Sequence, residues 1–164
     1  MKYLALLRGI NVGGKNIILK EELRQLFEDL GFESVRTYIQ SGNVLFRSSE
    51  KTSKKIVNSI EDKLSKRFSY DARAVVLSYD QYKNAVGSAS GNWGKNEQQK
   101  HSALFLLGDN TPKNICKDLP LTKPEIETIE LGEKVIFWSV SKAKLTKTSY
   151  TKLAALPVYK EVTI

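Results

Sequence analysis

The sequence is poor in the residues that carry covalent or metal-centred chemistry. It holds one cysteine, Cys116, and one histidine, His101, in 164 residues. A single cysteine excludes an internal disulfide and fits a reducing cytoplasm, which is the expected location. Neither residue has companions at metal-ligand spacing, so no metal site is expected and no cofactor is called for. A Ser-His-Asp or Cys-His arrangement would have to be built on that one histidine from distant positions, and at a strand edge His101 reads as structural. No apolar run approaches the length that spans a bilayer. The opening Met1-Lys2-Tyr3-Leu4 is interrupted by Arg8 too early for a secretory signal, so no leader and no membrane partner are expected.

Acidic residues are also unevenly missing. The net charge is +8, from 26 Lys and Arg against 18 Asp and Glu. Between Lys134 and Lys160 no acidic residue occurs, while Lys142, Lys144, Lys147 and Lys152 fall there among Phe137, Trp138, Tyr150 and Tyr159. Cations interleaved with aromatics suit nucleic-acid binding. A solvated basic face over core aromatics has the same composition. With 41% hydrophobic and 27% charged residues, the chain is an ordinary globular sequence, long enough for one domain or two small ones.

What the sequence does have is concentrated in Leu6-Leu7-Arg8-Gly9-Ile10-Asn11-Val12-Gly13-Gly14-Lys15-Asn16. An apolar strand runs into a turn with three glycines, two cations and two asparagines, and a helical pattern follows. Glycine serves where φ must be positive or a ligand must approach the backbone closely. Successive N–H groups in such a turn can face an anion, with a helix dipole behind them. Arg8 and Lys15 would add charge at either end. The spacing is neither a Walker loop, because Lys15 is not followed by Ser or Thr, nor G-x-G-x-x-G. The plainer alternative is a turn whose glycines answer steric need alone.

Periodicity places the remaining elements. Residues 3–8 form a strand; Leu23, Leu26, Phe27 and Leu30 mark one helical face, closed by Gly31. Residues 35–40 and 44–47 read as a hairpin around Ser41-Gly42-Asn43. A helix from about residue 52 carries Ile56, Val57, Ile60, Leu64 and Phe68 inward, and residues 72–77 are a fourth strand. Ser78 and Gln81 are spaced as a capping box for a short helix over 79–86. Residues 87–99, rich in Gly, Ser, Asn and Gln, read as a linker.

The order then repeats. Strands are expected over 102–107, 126–131, 134–140 and 158–164. A short helix opens at Thr111-Pro112, and a second helix spans 146–156 before Pro157. The expected fold is α+β, a tandem duplication of two ferredoxin-like β-α-β-β-α-β subdomains: 1–78, a connecting helix and linker over 79–100, and 101–164. In that topology the turn after the first strand and the turn between the next two share one sheet end. Arg8, Gly9, Asn11, Gly13, Gly14 and Lys15 are thereby brought near Gln40, Ser41 and Asn43, the candidate anion-binding residues. The second half has no such glycine turn.

The paired motifs Leu6-Leu7-Arg8-Gly9-Ile10-Asn11-Val12-Gly13-Gly14 and Thr37-Tyr38-Ile39-Gln40-Ser41-Gly42-Asn43-Val44-Leu45-Phe46 resemble an uncharacterised, mostly bacterial family, domain of unknown function 1697. The likeness is specific over most of the first half and includes Leu30-Gly31-Phe32. Members typically continue past the last strand with an Arg-Asn-x-x-Thr segment and a helix, and this sequence ends at Ile164, where that segment would begin. The resemblance implies the fold and no activity, substrate or catalytic residue.

Helical carboxylates such as Glu21-Glu22, Glu28-Asp29 and Glu61-Asp62 read as solvated faces. Val44-Leu45-Phe46-Arg47 lacks the paired aromatics of an RNA-recognition sheet, so that arrangement is disfavoured. Three classes stay open: a binding module for a nucleic acid or a phosphorylated small ligand, an enzyme on a phosphate-bearing substrate, and an interaction domain without small-molecule chemistry.

Overall fold

A computed structural model describes residues 1–38 and 42–164. The chain is α+β and carries two four-stranded antiparallel sheets among the described residues. It divides into two compact units, Met1–Tyr82 and Lys83–Ile164.

In the first unit the order is β1 (Lys2–Arg8), α1 (Lys20–Asp29), β2 (Glu33–Tyr38), β3 (Asn43–Arg47), α2 (Ser53–Phe68) and β4 (Arg73–Ser78). The sheet runs β2-β3-β1-β4. Alternation decides its two faces, since neighbouring strand residues point oppositely. Tyr3, Ala5 and Leu7 of β1, Val44 and Phe46 of β3, and Ala74 and Val76 of β4 turn inward. They meet Leu23, Leu26 and Phe27 of α1 and Ile56, Ile60 and Leu64 of α2, residues spaced at i, i+3, i+4 and i+8 along one helical face. Phe46 is the hub, with ring centroids 5.6 Å from Tyr3, 5.4 Å from Phe27 and 4.5 Å from Phe32.

Helix α1 ends as Gly31 foretells. At φ +78° its N–H donates to Glu28 O and the Phe32 N–H donates to Phe27 O, the two bonds of a Schellman cap. At the other boundary the capping box forms: Gln81 N–H donates to Ser78 Oγ (3.2 Å) and Ser78 N–H to Gln81 Oε1 (2.9 Å). It opens α3 (Tyr79–Gly87), which crosses from one unit into the next.

The second unit contains β5 (Gln99–Leu106), α4 (Pro112–Asp118), β6 (Glu127–Leu131), β7 (Val135–Ser141) and β8 (Val162–Thr163), in sheet order β6-β7-β5-β8. Thr111 caps α4 by accepting from Asn114 N–H. Leu104, Leu106, Ile136, Trp138 and Val140 pack with Ile115, Leu153 and Val158 on one face. The other face is covered too. Ala85 of α3, with Ala89 and Trp93 after it, packs on Val135, Phe137, Ala103 and Phe105. The polar stretch expected as a linker thus forms the outer layer of this sheet.

The C-terminal expectations need correction. Residues 146–156 are not an α-helix but two stretches of 3-10 helix, Leu145–Lys147 and Ser149–Ala155, and 157–161 continues as a third rather than as strand. Thr148 and Leu156 are both extended, with ψ of 155° and 148°. At the first break Ser149 N–H is drawn away to the carboxylate of Glu127 (2.8 Å) and its hydroxyl to Leu121 O. At the second, Pro157 has no N–H to give and favours an extended residue before it. Only Val162 and Thr163 reach Leu106 and Phe105 as strand.

Candidate functional site

The glycine turn is a small hairpin. Asn11 N–H donates to Asn16 O (3.1 Å), and Lys15 N–H donates to Val12 O (3.1 Å), closing a tight turn over Gly13 and Gly14. Both glycines have positive φ, +59° and +73°, as a two-residue turn of mirrored type requires. Asn11, at φ +54°, completes the base from its side chain. Its Oδ1 accepts from Ile18 N–H (2.9 Å) and its Nδ2 donates to Ile18 O (3.2 Å). Asn16 Nδ2 donates to Gly9 O (2.8 Å). Ile10 and Ile18 are buried beneath, while Val12, Ile17 and Leu19 stand 63–68% exposed.

The amide of Asn11 therefore acts as a strand partner for Ile18. Asn11→Ala is expected to cost about 1–3 kcal/mol, two net hydrogen bonds. The Ile18 amide should exchange with solvent at least tenfold faster, as read by hydrogen-exchange NMR; unchanged protection would refute that role.

The structure brings the two loops together at the end of β1. Leu7 N–H donates to Gly42 O (2.9 Å), and Leu6 pairs with Asn43 across β1 and β3. Arg8, Gly9, Asn11, Gly13, Gly14 and Lys15 thus lie on or beside one hairpin, with Asn43 next to its base. Gln40 and Ser41, expected beside them, lie outside the described residues. Lys15 is exposed, Arg8 half-buried, and Arg8 faces Arg73 in register on β4.

One expected contributor is not delivered. Helix α1 starts at Lys20, five residues beyond Lys15, and its first turn holds Glu21 and Glu22. Glu22 Oε2 accepts from Leu19 N–H (3.2 Å), so a carboxylate of the chain itself already complements the helix dipole. Any anion at the hairpin would be held by Arg8, Lys15 and the turn backbone. Among the described residues no acceptor is bonded to the N–H groups of Gly13 and Gly14.

Motif reading passed over Arg36 and Tyr38. Strand alternation was the available signal: Val35 is inward, and Arg36 and Tyr38 are exposed beside Leu45 and Asn43. It also missed Glu127, a buried acid on β6 with three N–H donors. His101 is fully engaged as a structural residue, with Nδ1 2.8 Å from Ser139 Oγ and Nε2 3.0 Å from Asn96 O. Among the described residues no group of three or more His, Cys, Asp or Glu could hold a metal ion, and no helix is long and apolar enough to cross a membrane.

The molecule is thus an α+β protein with a basic glycine hairpin at one sheet end. Residues 1–137 match the family model described as "Protein of unknown function (DUF1697)", and the chain belongs to that family. It is similar to a solved structure described as that of conserved bacterial protein SP0830 from Streptococcus pneumoniae. The TM-score is 0.85 at 28% identity, over 99% of this chain and 90% of that one. No curated protein matches it.

Proposed function

We propose that this is a binding protein for an anionic ligand, a nucleic acid or a phosphorylated small molecule, held at the hairpin of residues 9–18 beside the turn of residues 42–43. The observation that carries the reading is the bond from Leu7 N–H to Gly42 O. It joins an exposed, lysine-bearing hairpin to Asn43 at the strand end where Arg8 emerges. Arg8 presents a planar fork suited to two phosphate oxygens and Lys15 a mobile point charge. A catalytic reading has less support. The histidine is engaged at both ring nitrogens, and Glu22, an acid in the first turn of the helix that follows the hairpin, is engaged with Leu19 N–H.

The like strand orders β2-β3-β1-β4 and β6-β7-β5-β8 support a tandem ferredoxin-like duplication, in which the second copy has replaced its later helix by 3-10 turns. A cytoplasmic location is supported by the lone cysteine.

The test is a titration of labelled oligonucleotide and of sugar phosphates at several salt concentrations. For an oligonucleotide, Lys15→Ala should weaken binding and lower the logarithmic salt slope by about one unit; for either ligand Arg8→Ala should weaken binding further. Equal affinity of parent, Lys15→Ala and Arg8→Ala for every anion would remove the hairpin from the function.

A further inference from the structure

The outward face of the first sheet is not dressed like a solvated surface. Register aligns its side chains in rows across β2, β3 and β1: Tyr38–Asn43–Leu6, then Arg36–Leu45–Leu4, then Glu33–Arg47–Lys2. Tyr38 is 65% and Leu45 46% exposed, and Arg36, Arg47 and Lys2 are exposed around them. Glu33 is the one acid in those rows. No hydrogen bond or ion pair engages Arg36, Arg47 or Lys2 side chains among the described residues. The rows begin at Asn43, beside the base of the glycine hairpin, and extend about 14 Å along the strands. The corresponding face of the second sheet lies under Ala85, Ala89 and Trp93, whereas on the first sheet this face is exposed over β2 and β3 and buried at β4, where Val75 and Leu77 stand opposite Leu6 and Leu4.

We propose that this face is a track for a single-stranded nucleic acid, which deepens and rests on the reading of the hairpin as an anion site. A base stacks on the Tyr38 ring, Leu45 and Leu4 form an apolar floor, and Arg36, Arg47 and Lys2 neutralise phosphates that continue from those held at Lys15. Charge complementarity calls for a polyanion, and an exposed ring on a pleated surface calls for unpaired bases whose faces are free. A duplex hides those faces. The pattern differs from the usual RNA-recognition sheet because Tyr3 and Phe46, on the two central strands, point into the core, leaving β2 to supply the aromatic.

The experiment is fluorescence anisotropy with labelled oligothymidylate, oligouridylate, a mixed-sequence duplex and polyglutamate, on parent, Tyr38→Ala, Arg36→Ala and Lys15→Ala, each checked by circular dichroism. All four probes are compared at several salt concentrations. Single strands should bind at least tenfold better than duplex. Tyr38→Ala should lose about tenfold on single strands with the salt slope kept, and Arg36→Ala should reduce the slope by about 0.7. If Tyr38→Ala and Arg36→Ala bind like the parent while Lys15→Ala is weakened, the track is wrong and the hairpin reading stands. If all three variants bind like the parent, both fail. Polyglutamate bound as well as oligothymidylate, with Tyr38→Ala silent on both, would assign the face to an acidic protein instead.

Discussion

Glu127→Ala is expected to unfold the second unit under mild denaturant while leaving the first folded. Glu127 is 1% exposed, and burial alone would raise its pKa. The hydrogen bonds it accepts prevail and hold the carboxyl below its ordinary value, those from Ser149 N–H and Lys123 N–H first. Oε1 takes Ser149 N–H at 2.8 Å and Lys123 N–H at 3.0 Å, and Oε2 takes Trp138 Nε1–H at 3.1 Å. One carboxylate therefore joins the loop before β6, the centre of β7 and the start of a 3-10 turn. Removing it leaves three donors without an acceptor, at about 1–3 kcal/mol each where they stay buried. That sum competes with the whole stability of a small domain.

The readout is selective, because both tryptophans, Trp93 and Trp138, lie in the second unit. Tryptophan emission should report a lowered urea midpoint in Glu127→Ala. Glu127→Gln should fall between it and the parent, since one amide oxygen can serve two donors while its NH2 group opposes Trp138. The pH sign follows from the lowered pKa. The carboxylate's contribution is full above the unfolded-state value near 4.5 and is lost as pH falls through the lower folded value. The gap in midpoint between parent and Glu127→Gln should therefore narrow in acid below about pH 4.5. An Ala variant as stable as the parent at neutral pH would refute the lock.

The contrast between the two units says what a sequence carries. In the first unit the structural devices are local. Leu23, Leu26 and Phe27 recur at helical spacing, Gly31 sits where a Schellman cap needs it, and Ser78 with Gln81 closes a box of neighbours. Each can be read within four or five residues. In the second unit the decisive interactions are distant. Ser149 leaves its helix for Glu127, 22 residues earlier, and apolar spacing over 146–156 could not announce that. Residues 87–99 looked like a linker because Ser, Asn and Gly dominate them. Ala89 and Trp93 are few, yet they suffice to seat the stretch on β5 and β7.

The site was legible to the same degree. The convergence of the residue 9–15 turn with Asn43 followed from topology and is realised by the Leu7–Gly42 bond. Helix α1 as a source of positive potential was not, because the glycines close a hairpin upon themselves before the helix starts. Sequence spacing put four residues between Lys15 and Lys20 but could not say that Asn11 would spend its amide on Ile18.

Gly42→Ala should be the most damaging single methyl in the first unit. Gly42 has φ +79°, and a Cβ there would come within 2.9 Å of both Cδ1 and Cγ1 of Ile10 and 3.1 Å of Leu7 Cβ. Ile10 is 1% exposed and belongs to the core of the unit, so it cannot swing clear into water. The positive φ costs about 1–2 kcal/mol and overpacking about 1–3 kcal/mol. Gly13→Ala is the matched control: its φ is +59°, but nothing lies within 4 Å of the added Cβ, so it should incur only the first cost. The first unit has no tryptophan, so amide exchange of β1 and β3 is the measurement. In Gly42→Ala their protection should fall by more than tenfold relative to Gly13→Ala, and the Leu7 amide, which donates to Gly42 O, should be affected most. Ile10→Val removes the Cδ1 in conflict and should restore part of the loss in the double variant, a coupling expected of neighbours. Because the same bond holds the hairpin beside Asn43, anion affinity should decline along with protection, whereas Gly13→Ala should separate the two. Equal protection in Gly42→Ala and Gly13→Ala would mean that the close approach of the two turns is not what fixes this end of the sheet.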